Sequence, residues 1–225
     1  MPANNVNPRR LPLLPSTLLI TALLLSGCNP TPPEHPFLPW EVTEVDQGIS
    51  VFGVHLGKTS LLEIRQMHDM RAELAVFQAP DGTLALEAFF GRVRLGPLEA
   101  QIIAVAEASQ EQLQALIVDS ATPTPQPSGS WRFELTYDAI REAQHYPVRS
   151  LSYVPTATYD EELVVRRFGT PDRTLTTQDG SQHWLYPTKG TMVSFSSRGK
   201  NIFQYIDPAQ FDSLVETIHA PVERP

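Results

Sequence analysis

The sequence predicts an α+β fold built from two repeated units, each a short helix, a three- or four-stranded antiparallel sheet and a closing helix. Three observations point there. A capped amphipathic segment opens each unit, period-two apolar runs joined by Asp-Gly turns follow it, and a second capped segment ends it. Between the units lies ATPTPQPSGS at 121–130, a linker or long loop. The expected organisation is a signal peptide at 1–27, a Pro-rich tether at 28–39, a first unit at 40–120 and a second at 131–225.

In the first unit, Ser60-Leu61-Leu62-Glu63 is a capping box, with Leu61, Ile64 and Met67 or His68 at helical spacing behind it. Residues 73–78, the turn Ala79-Pro80-Asp81-Gly82 and residues 83–90 read as strand, turn, strand. Strands at 93–95 and 98–106 follow, broken at Gly96-Pro97, and Ser109 caps a helix with Leu113, Leu116 and Ile117 on its apolar face. In the second unit Thr158 and Glu161 form the box, Leu163, Val164 and Phe168 follow, and Gly169 and Pro171 stop the helix. A hairpin over 173–186 turns at Gln178-Asp179-Gly180, and strands at 191–195 and 201–206 flank a turn at 197–200. Asp207-Pro208 opens the last helix, with Phe211, Leu214, Val215 and Ile218 facing inward.

The N-terminus carries a different kind of signal. Cys28 is the only cysteine, and it closes Leu25-Ser26-Gly27-Cys28. Arg9 and Arg10 precede an apolar run at 18–25, too short to span a bilayer that needs about 20 helical residues. The arrangement resembles a bacterial lipoprotein signal peptide with its lipobox. That resemblance implies cleavage before Cys28, a thioether to diacylglycerol and an N-acyl chain such as palmitate. It places the mature chain on the membrane through its lipid. Asn29 stands where an aspartate would resemble an inner-membrane retention signal, so the expected location is the outer membrane, periplasmic face. Residues 29–39 hold five prolines and read as an extended spacer.

Charge excludes some partners. Without the two signal arginines, 15 basic residues face 25 acidic ones, a formal charge of −10. Such a chain does not track nucleic acid. With the Cys28 thiol converted to a thioether, no disulfide can form, and stability rests on packing.

Certain second-unit residues resemble a family. Phe168-Gly169-Thr170-Pro171, Trp184-Leu185-Tyr186 and Met192-Val193-Ser194-Phe195 followed by Gly199 are similar to the motifs of the small outer-membrane lipoproteins of the β-barrel assembly machinery (SmpA/OmlA, or BamE type). In the first unit Gly57-Lys58-Thr59 matches that family's Gly-x-Thr. The tandem plan is also similar to the β-lactamase inhibitor proteins. These resemblances imply a binding module rather than an enzyme, with fold specified better than chemistry.

Candidate chemistry is sparse. Gly53 to Thr59 has three residues between its glycines where a phosphate-binding loop needs four. His35, His55, His68, His145, His183 and His219 show no zinc spacing, so no metal and no cofactor beyond the Cys28 lipid is expected. Asp179, Ser181 and His183 are close in sequence, but the Asp-Gly pair there has a turn role. Trp184 and Tyr186, with Phe195, either pack beneath the helices or form an exposed platform for a partner. The expectation is a non-enzymatic, outer-membrane-anchored lipoprotein that binds another envelope protein in assembly or maintenance of the envelope. The alternatives are an inhibitor-like module clasping a periplasmic hydrolase, and a hydrolase whose residues converge only in three dimensions.

Overall fold

Strand pairing runs without a break through both halves of the chain. The computed structural model describes Met1 and residues 37–46, 48–196 and 199–219; all but Met1 belong to one body, His35–Pro225. The lipobox residues Leu25, Ser26 and Gly27, together with Cys28, lie outside the described residues. β1 (Thr43–Val45), β2 (Gly48–Val51) and β3 (Val54–His55) make a small antiparallel sheet. Then come α1 (Leu61–Met67), β4 (Glu73–Gln78), β5 (Leu84–Leu95), β6 (Leu98–Ala106) and α2 (Gln110–Ile117). β7 (Thr124–Pro125), β8 (Trp131–Glu134), α3 (Tyr137–Ala143) and β9 (Val148–Pro155) follow. The last stretch holds α4 (Glu161–Phe168), β10 (Arg173–Thr176), β11 (Gln182–Tyr186), β12 (Thr191–Phe195), β13 (Asn201–Ile206) and α5 (Phe211–His219).

Local chemistry sets the helix starts. The Ser60 amide donates to Glu63 Oε2 at 2.7 Å while the Glu63 amide donates to Ser60 Oγ at 3.2 Å, and Ser109 and Gln112 repeat the box on α2. On α4 the cap is Asp160, which accepts from the Leu163 amide at 2.7 Å, two residues beyond the expected Thr158. The cause is Tyr159: its amide donates to the Asn201 side chain at 2.7 Å and its ring is buried, so the chain stays extended up to Asp160.

The two-unit α+β plan is overturned. β4 to β13 form one antiparallel ten-stranded sheet in the order β10-β11-β12-β13-β9-β6-β5-β4-β8-β7, and the architecture is mainly β. The physical reason is β9. Its Ser150-Leu151-Ser152-Tyr153 alternation buries Leu151 and Tyr153 on one face, and its two edges pair with β6 and β13. Two separate sheets would each leave an open edge there; the shared strand satisfies both. β5 also departs from expectation. It continues to Leu95 through a bulge between Phe89 and Arg92, with Gly91 at φ +67°.

The larger core lies on one face of the sheet. It joins Leu61 and Ile64 of α1, Leu113 and Leu116 of α2, Ala143 of α3, and Val164 and Phe168 of α4 to inward strand residues. A smaller cluster sits on the opposite face, where Phe211, Leu214 and Val215 of α5 cover Leu185, Met192 and Ile206.

Candidate functional site

Period-two geometry divides every strand between two faces. In β5, Leu84, Leu86, Ala88 and Phe90 face the larger core, so Ala85, Glu87 and Phe89 face away. The register carries that outward face across the sheet. Glu73 pairs with Phe89, Phe89 with Ile103, and Ile103 with Ser152, which makes one continuous row. On one side of it Ala75, Glu87, Val105 and Ser150 form the next row; on the other lie Arg92, Gln101 and Val154. Packing of α1 to α4 is on the opposite side, and α5 covers only the β11–β13 end. Over β4, β5, β6 and β9 this face is open.

Its composition is that of a surface able to bind. Phe89 is 40% exposed, with Phe77, Ile103, Val105 and Val154 half-buried around it. The rim is charged: Arg132 bridges Glu73 and Glu134, and Arg92 Nε meets Glu99 at 3.2 Å. Glu87 differs from its neighbours. It is half-buried, no cation lies within salt-bridge distance of it among the described residues, and burial raises its carboxyl above the ordinary value. An apolar centre with a polar rim is the anatomy of a protein-binding patch.

The sequence-predicted aromatics lie elsewhere. Trp184 is 7% exposed and Tyr186 is 2% exposed, and Phe195 is half-buried with its ring 4.8 Å from that of Trp184. The Tyr186 hydroxyl donates to the Gly169 carbonyl at 3.1 Å, and its ring lies 5.5 Å from Phe168. They face α4 because their register partners Val193 and Thr191 lie on the core side of β12. No exposed platform is formed by these three, and the packing alternative describes them.

A polar cluster does surround His183. Its Nδ1 is 2.7 Å from Ser194 Oγ, and its Nε2 is 3.5 Å from Thr177 Oγ1. Thr177 donates to Asp179 Oδ1 at 2.6 Å, and the Ser181 hydroxyl donates to Asp179 Oδ2 at 2.9 Å. These bonds push the Asp179 carboxyl down to about 2. The carboxylate thus holds the turn, with Thr177 between it and the imidazole. Ser194 is 6% exposed, which closes it to a substrate. The Gly53–Thr59 segment forms a turn in which the His55 amide donates to Thr59 Oγ1 at 3.0 Å and Lys58 Nζ donates to the Asp46 carbonyl at 3.1 Å, while the buried His55 Nε2 has no hydrogen-bond partner among the described residues. Among the described residues no group of three or more His, Cys, Asp or Glu side chains is placed to hold a metal, and no helix is long and apolar enough to cross a membrane.

The N-terminal end of the body is clasped from the helix-covered side. Phe37 meets His68 edge-on at 5.1 Å, the Tyr205 hydroxyl donates to the Pro39 carbonyl at 2.8 Å, and the Arg167 guanidinium lies 4.6 Å from the Trp40 ring centre. Sequence reasoning did not single out Glu87, Phe89, Ile103 or Val105. The available signal was the expected strand at 83–90, in which one of the adjacent pair Phe89-Phe90 must point away from the other. No protein-family model, curated protein or solved structure matches the chain.

Proposed function

We propose that this protein is a lipoprotein, acylated at Cys28 and held at the periplasmic face of the outer membrane, that uses its open sheet face to bind another envelope protein. The observation that carries the reading is the uncovered row Phe89–Ile103 with its half-buried neighbours and charged rim. Support for the anchor comes from the Leu25-Ser26-Gly27-Cys28 run and the Pro-rich spacer after it. Support for the envelope role comes from the motif likeness of residues 168–199 to the barrel-assembly lipoproteins. The clasp at Phe37, Pro39 and Trp40 lies on the helix-covered side of the sheet, away from the open face.

The test is a photo-crosslinking residue at position 89 of the full-length chain in cells, with palmitate labelling in parallel. The expected results are an adduct with an envelope protein and label lost in Cys28→Ala. A chain that stays unlabelled and yields no adduct with another protein overturns the reading. The inhibitor-like alternative draws on the same open face, and an adduct with a hydrolase would favour it.

A further inference from the structure

The open face carries its charges in an order that suits a copy of itself. On β5 the outward residues are Glu87, Phe89 and, beyond the Gly91 bulge, Arg92. Five positions separate Glu87 from Arg92, an odd number that would put them on opposite faces of a regular strand. The bulge restores Arg92 to the face of Glu87, so an acidic and a basic side chain flank Phe89, one row to each side.

We propose that, with no other partner bound, this face is occupied by the same face of a second copy, related by a two-fold axis along the Glu73–Phe89–Ile103–Ser152 row. The inference rests on the reading of the face as a docking surface and names its resting occupant. Such an axis exchanges the two flanking rows. Glu87 of each copy then meets Arg92 of the other, Phe89 meets its own counterpart, and Val105 meets Gln101. Each copy supplies what the other lacks, as an isologous interface requires.

Two further observations fit. Glu87 has no cation of its own and is already partly out of water, between Ala75 and Val105 in its row. Arg92 is tied only at the surface, to Glu99 with their side chains 69% and 38% exposed, an exchangeable pair. The three rows, across four strands about 4.8 Å apart, cover roughly 400 Å² per copy, a small interface in solution. Confinement of both copies to one membrane raises their effective concentration.

The test uses the full-length chain in cells, where the acylated Cys28 offers no thiol. Facing sheets lie about 10 Å apart, beyond the reach of a disulfide, so the probe is a short bismaleimide applied to Phe89→Cys. The expected product has twice the chain mass, while Val165→Cys, exposed on α4 on the helix-covered side, gives little. Adding Glu87→Arg or Arg92→Glu lowers the yield by about tenfold, and combining the two restores it. Where a reversal lowers the chain's level, Glu87→Gln with Arg92→Gln serves instead and is expected to lower the yield at unchanged level. Equal yields from positions 89 and 165, or no restoration by the double reversal, overturn the proposal. An adduct of position 89 with a different protein, without self-crosslinking, sinks the second copy and leaves the docking surface standing. Self-crosslinking without any heterologous adduct supports the second copy and sinks the envelope partner.

Discussion

Tyr205 on β13 donates its hydroxyl hydrogen to the carbonyl oxygen of Pro39 at 2.8 Å, joining residues 166 positions apart inside the buried core. The bond fastens the segment that enters the body to the middle of the sheet. Tyr205→Phe leaves that carbonyl without its donor, and the expected loss is about 1–3 kcal/mol. A lower denaturant midpoint at unchanged slope checks it; an unchanged midpoint would show that the bond holds nothing.

Gly190 stands before β12 at φ +54°, and its carbonyl accepts from the Ile206 amide at 2.9 Å. A Cβ there would overlap the Ile206 carbonyl oxygen. Gly190→Ala is therefore expected to cost about 3 kcal/mol or more. Gly82→Ala also carries a positive φ but meets nothing within 4 Å, so it should cost only the backbone strain of about 1–2 kcal/mol. Thermal melts of the two variants side by side measure the difference, and equal melts would refute it.

Burial holds the His68 imidazole below its ordinary pKa, against the opposing pull of the Phe52 carbonyl 3.0 Å from Nε2. The unfolded chain takes up this proton at about pH 6.5 while the folded chain resists it, so the unfolded state binds more protons just below that pH. Stability is then full above about pH 6.5 and falls as the pH drops toward the lowered folded value. Denaturant midpoints measured at about pH 7.5 and 5.5 should differ in that direction, and His68→Gln should remove part of the slope. A midpoint that rises on acidification would contradict this.

Glu87 has the opposite sign. Its folded pKa is raised by burial, so its contribution is present below the unfolded value of about 4.3 and is lost as pH rises through the folded value. At neutral pH the ionised carboxylate is a cost to the single chain. Glu87→Gln should raise the unfolding midpoint of dilute protein at about pH 7 and change it little at about pH 4. The same substitution should weaken self-crosslinking at position 89. A variant that loses both stability and crosslinking would mark Glu87 as a packing residue.

Sequence and structure agree where the determinants are local. Ser60, Ser109 and the Asp81 turn act through atoms two or three residues away, and each was legible. β9 was not assigned, although Ser150-Leu151-Ser152-Tyr153 alternates, because its partners β6 and β13 lie far off on either side and no Asp-Gly turn marks its ends. The candidate site was the least legible part. Alternation at 84–90 shows that Phe89 and Phe90 point to opposite faces, but which face a helix covers depends on how α2 and α5 cross the sheet. Trp184 shows the converse: an aromatic strand residue reads as platform or core until α4 and its register partner Val193 are placed.

Gly91 makes the open face depend on counting as much as on composition. Upstream of it the even-numbered side chains Leu84, Leu86, Ala88 and Phe90 are buried; downstream the odd-numbered Val93 and Leu95 are. Pairing this stretch without the bulge would leave its composition unchanged and invert the strand's parity beyond it, sending Val93 and Leu95 outward and Arg92 and Arg94 toward the core, whereas deleting Gly91 itself would restore plain alternation and keep both faces as they are. Substitutions at Glu87 or Arg92 adjust the strength of this surface, whereas one extra residue paired into the strand beyond the bulge would turn its far half over in a single step. In divergent sequences, the phase of the apolar positions on either side of this bulge is thus a better marker of the surface than the identity of any side chain on it.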